Sequence, residues 1–263
     1  FRIYGDGAPS EYEGYFATDS VAIFGKVLAS VELDVNMLLS GPWNGTDMSD
    51  SLRVKGLIPL TDPYGFGKTV TPSVLNVTGS NAIVDWIEIE LRDSLNPSLV
   101  VSESAFLLQR DGDVVDVDGT SLPKFYVNGE KHYVSVSHRN HLGVMTAQPV
   151  VLNSSIDFSS PLTLTWGTEA QKSVGLKNAL WSGNVKTSPV NDAVQYIGDG
   201  NDRDPMLIVV GNSTPNDVVT GYHPTDTNLD GVVKYTGVGN DRDLILQTVG
   251  GATPNSVRIE QIP

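Results

Sequence analysis

The 263-residue chain contains no cysteine, so no disulfide staples it. If it works outside the cell, bound metal is the obvious substitute. Positive charge is also scarce: 17 Lys and Arg stand against 31 Asp and Glu, for a formal net charge of −14. Such a surface repels nucleic acid and anionic lipid, attracts divalent cations and keeps a secreted protein soluble. No basic patch argues otherwise. No run reaches the roughly 18 apolar residues of a membrane span, so membrane insertion is not expected. The first residue is Phe1 rather than Met, which reads as a mature or excised segment whose signal peptide has been removed.

What is present up to about residue 170 is strand-like. Val31, Leu33, Val35, Met37 and Leu39 follow the period of a sheet with one buried face, and Ile87, Ile89 and Leu91 alternate with Glu88, Glu90 and Arg92. Asp111-Gly112 and Asn128-Gly129 are tight-turn signals and predict two hairpins; a further strand is expected through Leu162, Leu164 and Trp166. Long helical periods are missing. The expected fold is mainly β: an antiparallel β-sandwich over 1–170, a connection over 171–185, and a small duplicated module over 186–263.

The duplication is explicit. Val194 to Asn216 and Val233 to Asn255 agree at roughly 14 of 23 positions, at a period of 39 residues, around a shared Gly-x-Gly-Asn-Asp-Arg-Asp. The second copy follows Asp226-Thr-Asn-Leu-Asp-Gly231, in which oxygen donors alternate ahead of a glycine as in the front half of a calcium loop. Asp226, Asn228 and Asp230 are the expected side-chain ligands and Val232 offers its carbonyl. An EF-hand would place its closing carboxylate at position 237, which is a glycine; Asp241 and Asp243 come later, just before an apolar run, and are expected to close the site. Carrying the period back gives Thr187, Pro189 and Asn191, poor ligands, with Asp202 and Asp204 retained. Asn191, Asp202 and Asp204 therefore define a weaker first site, for which Asn184 and Asp192 could stand in. Calcium is the expected cofactor.

A pair of such loops with short helices resembles the dockerin module over about residues 184–257, and that resemblance implies docking onto a partner module. The Gly-x-Gly-Asn-Asp-Arg-Asp block is not a dockerin feature. Asp50 to Tyr64, Val84 to Asp93, Leu107 to Gly119, His138 to Ala147, Ala179 to Asn184, the duplicated block and Arg258 to Pro263 together look like the C-terminal region of large secreted surface proteins of the Bacteroidota, of haemagglutinin-like or adhesin-like kind. The resemblance implies export and an outer-surface or released location. Asp19-Ser20-Val21, Asp50-Ser51-Leu52 and Asp93-Ser94-Leu95 resemble the O-glycosylation acceptor pattern of that phylum, which makes Ser20, Ser51 and Ser94 expected glycan sites; turn or helix caps are the bland alternative.

Catalysis is not expected. His132, His138 and His141 fall close together, but His132 and His138 share a strand face with Val134 and Val136, while Arg139, Asn140 and His141 begin the following turn. Their side chains are expected to hydrogen-bond in that turn without converging. Asp111, Asp113, Asp116 and Asp118 read as a wet strand face, and Trp86, sharing its face with Glu88 and Glu90, as an exposed aromatic. The leading expectation is a non-enzymatic, calcium-stabilised extracellular module of a surface protein or filament that associates with itself or with other surface proteins, the stretch from Phe1 to Tyr15 being a candidate for strand exchange. The second is a glycan-binding adhesin or a dockerin-like anchor.

Overall fold

The computed structural model describes residues 29–186 and 192–263; Ser20, Asn191 and the stretch from Phe1 to Tyr15 lie outside them. With 34% strand and 9% helix, the protein is mainly β. The alternation at residues 31–39 is realised by β1 (Ala29–Glu32) and β2 (Asp34–Asn36), with Val31, Leu33, Val35, Met37 and Leu39 all buried. After a one-turn helix, α1 (Ser51–Val54), come β3 (Ile83–Arg92), β4 (Val100–Gln109), β5 (Val114–Val115), β6 (Lys124–Val127), β7 (Lys131–His138), β8 (His141–Met145), β9 (Val150–Val151), β10 (Ser155–Asp157), β11 (Gln171–Val174) and β12 (Lys177–Leu180).

The main sheet has the order β5-β4-β3-β7-β8, with β9 also on β7, and every pairing in it is antiparallel. Beside it lie two-stranded sheets: β1 with β6, β10 with β2 in parallel, and the β11–β12 hairpin. One apolar cluster joins them, from Val31, Leu33 and Val35 through Trp86, Ile87 and Phe106 to Leu180. The rings of Phe106 on β4 and Phe125 on β6 pack 5.4 Å apart, which ties the β1–β6 pair to the main sheet.

Several local expectations are corrected. Asp111-Gly112 does turn β4 into β5, but Asn128-Gly129 makes no hairpin: β6 pairs with β1 while β7 pairs with β3, β8 and β9. The turn chemistry is local, whereas partner choice is set by which apolar faces meet. Residues 162–166 form no strand; a bridge between Thr146 and Thr165 is their ladder contact, and Leu162 and Leu164 are exposed. Trp86 is fully buried, its indole N–H donating to the Pro59 carbonyl at 2.8 Å, because the segment after α1 covers that end of the sheet. Asp118 accepts from the amides of Thr120 and Ser121, and Asp116 pairs with Lys68, so these acids build a turn and not a strand face. The stretch 171–185 is more than a connection, since the β11–β12 hairpin puts Ala179 and Leu180 into the large core.

The duplicated region repeats in three dimensions. β13 (Ala193–Gln195), α2 (Arg203–Val209) and β14 (Val218–Thr220) recur as β15 (Val232–Lys234), α3 (Arg242–Thr248) and β16 (Val257–Ile259), each displaced by 39 residues. The strands then pair across the copies, β14 with β15 and β13 with β16, both antiparallel. Met206, Val210, Val194 and their counterparts Ile245, Val249 and Val233 fill a second apolar cluster, joined by Leu142 of β8.

Candidate metal centre

The shared Gly-x-Gly-Asn-Asp-Arg-Asp is a folding device used identically twice. Gly198, Gly200, Gly237 and Gly239 all take positive φ, the left-handed backbone that only glycine adopts freely. Asn201 accepts from the Asp204 amide at 3.0 Å and donates to the Asp204 carboxylate at 2.9 Å, and Asn240 does the same with Asp243 at 3.0 and 2.8 Å. These reciprocal bonds close the first turns of α2 and α3. Arg203 and Arg242 lie over the rings of Tyr196 and Tyr235.

The remaining Asp of each block is fully buried and gathers backbone. Asp202 accepts from the amides of Val185, Lys186 and Gln195, and Asp241 from those of Thr227, Asn228 and Lys234. Both oxygens of Asp241 are thereby engaged, so the structure makes it the organiser of the second loop, bonded from behind. Val185 and Lys186 precede Thr227 and Asn228 by 42 positions, whereas the strands are offset by 39. The first loop is therefore three residues longer, and its counterparts of Asp226 and Asn228 are Asn184 and Lys186. The positions reached by the simple period, Thr187, Pro189 and Asn191, lie outside the described residues.

In the second loop the front half converges. The Asp230 amide donates to Asp226 Oδ1 at 3.1 Å and to Asn228 Oδ1 at 2.8 Å; Gly231 donates to Asp226 Oδ2 at 2.7 Å, and Val232 to Asp230 Oδ1 at 2.8 Å. Asp226, Asn228 and Asp230 are thus gathered around one stretch of backbone. Asp243, half exposed, stands apart in its reciprocal bond with Asn240. Burial, partly offset by Arg139, pushes the Asp226 carboxyl up to about 6; burial and then the charge of Asp226 push Asp241 up to about 7. The side-chain oxygens of Asp226, Asn228 and Asp230 are the donor chemistry of a hard cation such as calcium. Asp226, Asn228 and Asp230 are the expected ligands that the fold brings together, whereas Asp241 is spent on backbone amides and Asp243 on Asn240. On the first loop Asp202 is pushed up to about 6 by burial, and Asp204 is held by Asn201 and Arg203.

Val233 after the second loop, the expected apolar anchor, is buried in the smaller cluster, but sequence reasoning missed a second anchor in the large core. Leu229, at φ 55°, is fully buried and belongs to the large core, although its neighbours Asn228 and Asp230 face the loop. The left-handed turn costs about 1–2 kcal/mol and aims the side chain away from the oxygens. Leu229→Ala is expected to destabilise by about 3 kcal/mol in denaturant unfolding. A loss below ~1 kcal/mol would remove this anchor.

The histidines are also placed differently from expectation. His138 and His141 do converge, Nδ1 to Nδ1 at 3.1 Å, through a register shift in the β7–β8 pairing. His138 Nε2 lies 3.1 Å from Asp85, which also holds Arg139 at 3.0 Å and Tyr222 at 2.7 Å. Asn140 donates to the carbonyls of Pro224 and Asp226, and Arg139 to that of His223. The histidines bond within the turn, while Arg139 and Asn140 also tie it to the duplicated region. Burial lowers His138, and burial followed by the charge of His138 takes His141 well below its usual range. Burial works against the Asp85 carboxylate, yet Arg139 and His138 more than offset it and hold it below the usual range. The two imidazoles bond to each other, to Asp85, to Asn140 and to the Gly41 amide.

Outside the loops, Glu88, Glu90 and Glu103 bring carboxylate oxygens within 4.8 Å of one another on β3 and β4. Glu90 is already paired with Arg92 at 2.8 Å and Ser135 at 2.7 Å; Glu88, bonded to Ser137, is pushed up to about 7 by burial and by Glu90. Among the described residues this trio is the acidic group that converges so closely, and the second loop instead mixes carboxyl with amide oxygens. Compared with family models, with curated proteins and with solved structures, the chain matches none.

Proposed function

We propose that the chain is a non-enzymatic extracellular structural module: a sandwich of sheets carrying a dockerin-like duplicated unit that calcium tightens at its second loop. The observation that carries this reading is the gathering of the Asp226, Asn228 and Asp230 oxygens around one stretch of backbone, in a chain with no cysteine. Ligands assembled only in the folded chain convert cation binding into stability. The excess of acid keeps such a surface soluble and opposes contact with nucleic acid, so assembly would rest on sheet edges and not on overall charge. Electron microscopy of the native material is the test: ordered assemblies are expected, and sugar-dependent monomers on a glycan array would replace this reading with an adhesin.

Surface modification belongs to the same reading. Ser51 has its Oγ 2.7 Å from that of Ser49 and is followed by fully buried Leu52, so α1 would have to open for an enzyme to grip it. Ser94 sits in the β3–β4 turn, followed by Leu95 at 93% exposure. Of the two described acceptors, Ser94 is the one expected to carry a glycan. An intact mass equal to the bare polypeptide, or one unchanged by Ser94→Ala, would count against it.

A further inference from the structure

We infer that the His138 and His141 pair is an acid-released latch: with both rings neutral it holds residues 222–227 of the duplicated region against the main sheet, and a proton on either ring frees them. The inference is independent of the calcium reading of the second loop.

The partners fix both tautomers. The Gly41 amide donates to His141 Nε2 at 3.1 Å, so the ring proton of His141 is on Nδ1, where Asn140 Oδ1 accepts it at 2.8 Å and His138 Nδ1 lies at 3.1 Å. His138 Nδ1 faces two donors, that ring proton and the Asn140 amide at 3.5 Å, so its own proton is on Nε2, 3.1 Å from the Asp85 carboxylate. All four ring nitrogens are thereby committed while both rings are neutral. A second proton on His141 would meet the Gly41 N–H, and one on His138 would meet the Nδ1–H of His141. Both rings are buried, and Gly41 cannot recede, because the Thr227 carbonyl stands 2.0 Å from where a Cβ on Gly41 would be.

What the latch holds is the approach to the second loop. Asn140, set between the two rings, donates to the carbonyls of Pro224 at 3.0 Å and Asp226 at 2.7 Å; Arg139 donates to that of His223, and Tyr222 to Asp85 at 2.7 Å. A new charge between the rings therefore displaces the residues on which this segment rests. Burial lowers both imidazoles, so their contribution to stability is whole above the unfolded value of 6.5 and is lost as pH falls below it through their lowered values. The surrounding charges do not reverse this. Asp85 stays below its usual range, Tyr64 and Tyr222 lie well above theirs, Arg139 is pushed further up, and Lys172 on β11 adds positive charge that opposes a proton on His141. Asp226 titrates at about 6 but gains stability on acidification, the opposite sign. His223, half-buried against Gly221, is the other imidazole in the segment.

The test is hydrogen–deuterium exchange of the full chain in chelator at pH 7.5 and pH 5, corrected for intrinsic rates, reading residues 222–227 against β3 and β4. Protection of the segment is expected to fall at least tenfold, one proton being worth up to about tenfold per pH unit, while β3 and β4 hold. His141→Gln, whose amide oxygen can still accept from Gly41, should lose part of that drop, and the double variant with His138→Gln nearly all of it, with His223 left in place. Nitrogen NMR of the wild-type imidazoles needs no variant to fold: at pH 7.5 His138 should be the Nε2–H tautomer and His141 the Nδ1–H tautomer. A segment still protected at pH 5, a loss shared equally by β3 and β4, a drop that persists in the double variant, or the opposite tautomer on either ring would each overturn the inference.

Discussion

At pH 8, saturating calcium is expected to raise the melting temperature of the duplicated region by on the order of 10 °C over the same protein in chelator: a ligand at ~1,000 times its Kd adds about 4 kcal/mol, and each kcal/mol is about 2–4 °C for a chain of this size. The increment should also depend on pH in one direction. Asp241 and Asp226 have folded-state carboxyls pushed up to about 7 and about 6, above the unfolded value of 3.8. The stability they contribute without metal is therefore fully present below the unfolded value and is lost as pH rises through 6 and 7. Calcium competes with the proton of Asp226, so its increment is full at pH 8 and shrinks as pH falls through about 6. Comparing calcium with chelator at each pH cancels the histidines, whose lowered values run the opposite way. A calcium increment that is absent at pH 8, or that grows on acidification, would exclude the second loop as the binding site.

Asp85→Ala is expected to cost about 3–5 kcal/mol, because it strands the buried guanidinium of Arg139 without its carboxylate. Asp85 lies at the centre of the joint between the main sheet and the duplicated region, accepting from Arg139, His138, Tyr222 and the Trp86 amide. Tyr222 and His223 lie in the segment leading from β14 to the second loop, so losing Asp85 also loosens that segment from β3. Scanning calorimetry should then resolve a separate, lower transition for the smaller apolar cluster. Asp85→Asn keeps hydrogen-bonding capacity without the charge and should fall between the two. A variant within ~1 kcal/mol of wild type would mean that the two cores hold together through apolar contact alone.

What could be read in the sequence was what local rules determine. The 39-residue period located both copies, and the alternation of Val31 to Leu39 located a buried face. The acidic front half of the second loop does gather around the Asp230 amide. What was not legible depends on partners distant in the chain. His138 and His141 meet because Asp85, 53 residues before His138, holds one of them. Trp86 is buried because a loop 27 residues earlier lies across it. Lys186 was passed over because the simple period points three residues too far along a longer loop, and only the amides on Asp202 reveal the correct match. Leu229, flanked by the expected ligands Asn228 and Asp230, has its partners in the other core.

The cross-pairing of the repeats bears on how such a unit could arise. Within one copy neither strand has a mate: β13 finds it in β16 and β14 in β15, each in the other copy. A chain carrying a single copy would leave both edges open and could satisfy them by meeting a second identical chain about a two-fold axis. The present molecule is, in that sense, a two-fold dimer written into one polypeptide, and the join leaves its two loops free to differ in length and in acidity.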